Sequence, residues 1–191
     1  MKHKSKYSAI LIAVAALYAA LLVGGKEALA VLPNIEVVTL LIALCAYVWG
    51  PVVVFPAVNV FIAVDMAIWG VNTWVISYLI HWNAVALVFW LLGKINYKHR
   101  TVEITIATLT AAVITTLFGV VTSAVDTLVG FVGNGFFVDF DDFFHRFAVM
   151  YVSGGSFYIT QIVCNVVLFA TAFLPLVVLN RKAKLHISFD K

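Results

Sequence analysis

The feature that most constrains this chain is a succession of apolar runs, each close to the length of a membrane crossing, separated by short polar breaks. The runs cover 8–23, 37–50, 52–69, 73–92, 102–129 and 157–179. A spanning helix needs about 20 predominantly apolar residues. The pattern therefore predicts an all-α integral membrane protein, a single six-transmembrane-helix bundle over residues 1–191. Only 11% of the residues are charged and 64% are hydrophobic, against about 25% charged in a soluble domain. A cytosolic globular enzyme and a disordered chain are both excluded by that balance. Six spans in 191 residues leave no room for an ATP-binding domain, and a net charge of +3 makes no case for nucleic acid.

The breaks are specific. Gly50-Pro51 divides the second run from the third, Gly93-Lys94 closes the fourth, and Asn180-Arg181-Lys182 closes the sixth. Lys2, Lys4 and Lys6 precede the first run as in a signal peptide, but that run is long and another follows at once, so an uncleaved helix is expected. Basic residues mark the inner side of a membrane protein. With cytoplasmic N- and C-termini, the inner segments hold Lys2, Lys4, Lys6, Lys94, Lys98, Arg100, Arg181, Lys182, Lys184 and Lys191, leaving Lys26 and Arg146 outside. Cys45 and Cys164 sit within apolar runs and read as reduced packing residues.

Polar groups within a bilayer are costly and mark function or bundle packing. Here they gather toward the outer half. Asn34 and Glu36 precede the second helix, Asp65 lies near the end of the third, and Asp126 lies near the end of the fifth. Trp74, Tyr78 and His81 share one face of the fourth helix, and Tyr158, Gln161 and Asn165 one face of the sixth. Apart from Glu103 at the inner start of the fifth run, the inner halves carry no acid, which predicts a half-depth, outward-facing pocket instead of a relay across the membrane. The aromatics also suit an interfacial belt, and His81 fits either a hydrogen-bonded bundle residue or a ligand contact.

Between the fifth and sixth runs, Phe140, Phe143, Phe144, Phe147, Ala148, Tyr151 and Val152 recur at helical spacing, with Asp142, His145 and Arg146 on the other face. A short amphipathic helix across the outer mouth is expected, as lid or interfacial helix, with Gly130, Gly133, Gly135 and Gly154-Gly155 as hinges. Asp141, Asp142 and His145 read as solvated surface, so no metal site is expected. No zinc-protease motif, flanked nucleophilic serine or phosphate-binding loop occurs, and no catalytic residue or cofactor is assigned. In the first helix, Ala9, Ala13, Ala16 and Ala20 offer small-residue spacing suited to close helix approach, within this chain or against another membrane subunit.

A family resemblance enters at residues 32–41, Leu-Pro-Asn-Ile-Glu-Val-Val-Thr-Leu-Leu. This stretch resembles the start of the second helix in substrate-binding S components of energy-coupling factor (ECF) transporters. Residues 69–82 with Trp74 and Tyr78, and 155–169 with Phe157, Gln161 and Asn165, are similar to later parts of one such subfamily. The alanine-rich first helix is similar to the family's docking helix. The resemblance implies a non-catalytic subunit of a bacterial plasma membrane that binds a vitamin or cofactor precursor from outside. Its implied partners are a membrane coupling subunit and two ATPase subunits. It further implies docking through Ala9, Ala13, Ala16 and Ala20, with the loops after the first and fifth helices as gates. Nickel and cobalt members carry a histidine directly after the initiator methionine. Here Lys2 precedes His3, so the resemblance does not extend to a metal cargo. The acids with Trp74, Tyr78 and Tyr158 suit a flat heteroaromatic bearing amino groups. A stand-alone carrier or channel, or a membrane assembly subunit, are the competing readings.

Overall fold

The computed structural model describes residues 2–133 and 139–189, with side chains placed for 8–131 and 139–186. Lys2, His3, Lys4, Lys6, Gly133, Gly135 and Lys191 fall outside the residues whose side chains are described. The described chain is helical: α1 (Lys2–Ala28), α2 (Val38–Trp49), α3 (Pro51–Trp69), α4 (Trp74–Leu92), α5 (Arg100–Gly133), α6 (Phe140–Ser153), α7 (Gly155–Leu168) and α8 (Leu174–Phe189). A π-helical turn, Phe169–Phe173, joins α7 to α8 without a break.

Among the described residues, five helices are long and apolar enough to cross a membrane: Ser8–Ala28 within α1, then α3, α4, Arg100–Phe131 within α5, and the α7–α8 helix over Gly155–His186. Large apolar side chains cover the outer surface, among them Ile12, Leu17, Val60, Leu109, Val113, Ile159, Val163 and Leu179. Water would not tolerate so continuous an apolar exterior, whereas lipid does. The chain is thus built as a multi-pass helical membrane protein. The second run behaves differently from expectation. Its helix, α2, has 12 residues, about 18 Å at 1.5 Å per residue, against a hydrocarbon core of about 30 Å. Nearly every α2 side chain is buried, so this helix is clothed by protein. Irregular backbone is tolerated at membrane depth when it is buried or lines a cavity. The segment at 29–37 lines a cavity on one side, while Val31 and Leu32 are exposed.

The junctions follow from residue chemistry. Gly50 has φ +81°, a conformation that strains any L side chain, and Pro51 fills the first position of α3, where a missing N–H costs nothing. The end of α4 meets the end of α2 closely: a Cβ on Gly93 would stand 2.6 Å from the Tyr47 carbonyl oxygen. The core runs through α2 and α4 to the π turn, where Phe89, Phe169 and Phe173 are fully buried. Phe169 and Phe173 stack at 5.2 Å, and Tyr47 meets Phe173 edge-on at 5.3 Å. The apolar run at 157–179 predicts one helix, and the π turn is a departure from regular α geometry within it. Pro175 explains the departure, because its ring cannot donate to the Thr171 carbonyl and crowds it, and a widened turn relieves that clash. The Thr171 hydroxyl donates to the Val167 carbonyl at 2.7 Å within the same turn.

The amphipathic helix forms as expected. Asp139 caps α6 by accepting from the Asp141 N–H. Its apolar stripe lies along α5, where Phe131, Phe143, Phe147 and Tyr151 stack in sequence and Tyr151 continues to Tyr158 on α7. Phe140, Phe144 and Val152 remain exposed.

Candidate functional site

Lys26, in the last turn of α1, organises one end of the bundle. Its ammonium donates to both carboxylate oxygens of Asp65, at 2.5 and 2.6 Å, and Asp65 is only 2% exposed. The same ammonium lies 5.9, 5.5 and 5.3 Å from the ring centres of Trp69, Trp74 and Tyr78. Aromatic faces attract cations at this range. The acid and aromatics expected to receive a ligand's amino group are thus occupied by a side chain of the protein itself. The sequence reading placed Lys26 outside only as a topology marker.

From Lys26 the chain passes through tight turns, with Leu32 N–H donating to the Leu29 carbonyl at 2.8 Å, to Asn34 at φ +57°. Asparagine tolerates the left-handed region better than most residues. Glu36 then caps α2. It accepts from the Thr39 N–H at 2.9 Å and the Thr39 hydroxyl at 2.5 Å. A carboxylate there also complements the helix dipole. The Asn165 amide donates to the same carboxylate at 2.8 Å and to the Thr115 hydroxyl at 3.1 Å. The Cys164 thiol donates to the Glu36 carbonyl at 3.5 Å. α7 therefore holds the 29–37 segment against the bundle, and Asn165 acts as a tie from below.

Beneath that segment lies a cavity of about 250 Å³, lined by Lys26, Pro33, Asn34, Glu36, Trp69, Tyr78, Trp82, Phe118 and Gln161, together with apolar residues of the loop. Trp82 and Phe118 stack at 5.8 Å to form an aromatic wall, and Tyr78 adjoins both. Two residues of the lining each carry a buried side-chain atom with no partner among the described residues, the Trp82 indole N–H and the Gln161 side-chain oxygen, on residues each 3% exposed. Nearby, the His81 Nε2, the Ser77 hydroxyl and the Asn165 side-chain oxygen are also unpartnered and buried. An unmade hydrogen bond at a buried group costs about 1–3 kcal/mol. Flat aromatic walls, with one donor and one acceptor unpartnered behind the surface, suit a small planar molecule with polar edge groups. The volume falls just under the usual range of about 300–1,000 Å³ for drug-sized ligands.

The expected constellation divides in two. Asn34, Glu36, Tyr78 and Gln161 line the cavity. Asp65 and Trp74 border it through Lys26, and Asn165 braces Glu36. His81 packs its ring against Trp82 and Phe118, both at 4.6 Å. Asp126 and Tyr158 lie apart. Asp126 lines a separate cavity of about 250 Å³ between α5 and α6, with Thr127, Gly130, His145 and Arg146. Tyr158 fits between Gly119 and Gly154, with its hydroxyl 3.3 Å from that of Ser123. α6 lines the Asp126 cavity and contributes no residue to the Lys26 cavity, so a lid over the latter is not its placement here.

Lys26, Trp69, Trp82 and Phe118 were missed by sequence reasoning. Lys26 and Trp69 stand at helix ends, where topology and interfacial belts explain such residues equally well. Trp82 and Phe118 lie in continuous apolar runs without local signal. Ala9, Ala13, Ala16 and Ala20 are all exposed on one face of α1, while Val14, Ala15, Tyr18, Ala19 and Leu22 pack inward. No cluster of three or more metal-ligating residues occurs among the described residues. Comparison with protein-family models, curated proteins and solved structures finds no match for this chain.

Proposed function

We propose that the chain is the substrate-binding S component of an ECF-type importer, taking a small vitamin or cofactor precursor from outside and delivering it through an ATPase-driven coupling subunit. One observation carries this reading: the cavity under the 29–37 segment, with aromatic walls and an unpartnered donor and acceptor at Trp82 and Gln161. Phe89, Phe169 and Phe173 form a fully buried apolar core elsewhere in the bundle and do not line the cavity, which favours capture over a continuous path. In this reading α2 and the 29–37 segment together make a sixth crossing, and both termini face the cytoplasm. The bound molecule is a planar heteroaromatic. Lys26 already neutralises Asp65, so the cargo is neutral or carries at most one positive charge toward Glu36. The exposed alanine face of α1 is the docking surface for the coupling subunit, and chemistry and ATP hydrolysis belong to the partners.

Affinity purification from the native membrane tests the assignment. A coupling subunit and ATPases co-purifying with the chain would support it. Uptake of the cargo by cells lacking those subunits would favour a stand-alone carrier and overturn it.

A further inference from the structure

The end of the bundle opposite Lys26 carries a second cavity, of about 440 Å³, between α5 and α8. We infer that it binds the phosphodiester headgroup of an anionic phospholipid. Arg100, the first residue of α5, and Arg181, in α8, both line it, and Ile104, Leu174 and Val177 form its apolar wall. Neither guanidinium forms an ion pair among the described residues. Glu103 also lines the cavity, but its carboxylate accepts from the Tyr47 hydroxyl at 2.5 Å. Arg181 lies over the Tyr47 ring, 5.4 Å from its centre, so α2 fixes the position of both groups.

Two guanidiniums and the single Glu103 carboxylate leave the cavity with a net positive charge, which calls for an anion with several acceptor oxygens, and the planar arginine fork matches phosphate. Arg100 opens α5, and the positive end of that helix dipole favours the same charge. The apolar wall decides the source: it suits the glycerol and upper acyl segments of a lipid, whereas a free phosphate would leave it bare. Basic recesses between helices at the membrane surface have this property in general.

Native mass spectrometry of the purified chain in detergent with equal phosphatidylglycerol and phosphatidylcholine tests the site. The wild type should retain phosphatidylglycerol over phosphatidylcholine by roughly tenfold, and R100Q/R181Q should bring the ratio near unity. K98Q/K182Q removes the same charge from exposed positions outside the cavity and should keep the preference. An equal loss in K98Q/K182Q, or no preference in the wild type, overturns the site. Displacement of phosphatidylglycerol by millimolar inorganic phosphate overturns the lipid assignment. Should R100Q/R181Q fail to fold, R100Q alone carries the test, because Arg100 is exposed.

Discussion

Replacing Lys26 by methionine removes the only ion pair among the described residues while keeping most of the side-chain length. The Asp65 carboxylate is 2% exposed and is then left charged without its partner. Stranding one member of a buried pair costs about 3–5 kcal/mol. Lys26 is 25% exposed at its side chain, so water reaches part of the pair and brings the cost to or just below the bottom of that range, about 2–3 kcal/mol. Loss of contact with Trp69, Trp74 and Tyr78 adds about 0.5–1 kcal/mol. Asp65→Asn alone should cost less, since a neutral amide tolerates burial better than a stranded charge. The double variant should recover part of the loss, because neither charge remains. Reversible unfolding in mixed micelles, followed by helical circular dichroism for wild type, both single variants and the double, gives the coupling directly. We expect a coupling of at least about 1.5 kcal/mol. A Lys26→Met cost under about 0.5 kcal/mol, or strictly additive effects, would show that the pair does not hold the cavity wall together.

Gly93→Ala should destabilise by about 1–3 kcal/mol, because its Cβ would press on the Tyr47 backbone, which cannot swing aside like a side chain. Gly70→Ala, by contrast, meets open space, and its cost should come from the φ of +78° alone, about 1–2 kcal/mol. A melting comparison in detergent distinguishes the two. Ala13→Leu and Ala20→Leu lie on the exposed face of α1 and should leave stability within about 0.5 kcal/mol. The same variants should weaken co-purification of a coupling subunit.

Helix positions were legible in the sequence because apolar run length and Gly or Pro breaks act locally. Gly50-Pro51 and Gly154 act where expected, and the capped amphipathic α6 was written in its aromatic spacing. The short α2 was not legible: periodicity cannot tell a helix clothed by protein from one facing lipid. The site was half legible. The polar residues of the loop and of α7 stood out against an apolar background, and Glu36, Gln161 and Asn165 do come together. The division of the acids was hidden, because depth along a helix says nothing about azimuth around the bundle. Asp65 turns to Lys26, whereas Asp126 turns toward α6. The use of Lys26 as an internal cation could not be read from charge counting, since the same residue satisfies a topology rule.

Whether the cavity beneath residues 29–37 holds a small molecule decides between a binding subunit and an empty bundle. Native mass spectrometry of the gently purified wild type, with Gln161→Leu and Trp82→Phe beside it, reads this in one series. Gln161→Leu removes the open acceptor, and Trp82→Phe removes the open donor while keeping an aromatic wall. The wild type should carry a bound planar compound. Each variant should weaken it by roughly tenfold, as loss of a buried hydrogen bond of about 1–2 kcal/mol dictates. A wild type that stays empty across a library of vitamins and cofactor precursors, or a ligand held equally by all three proteins, would contradict it.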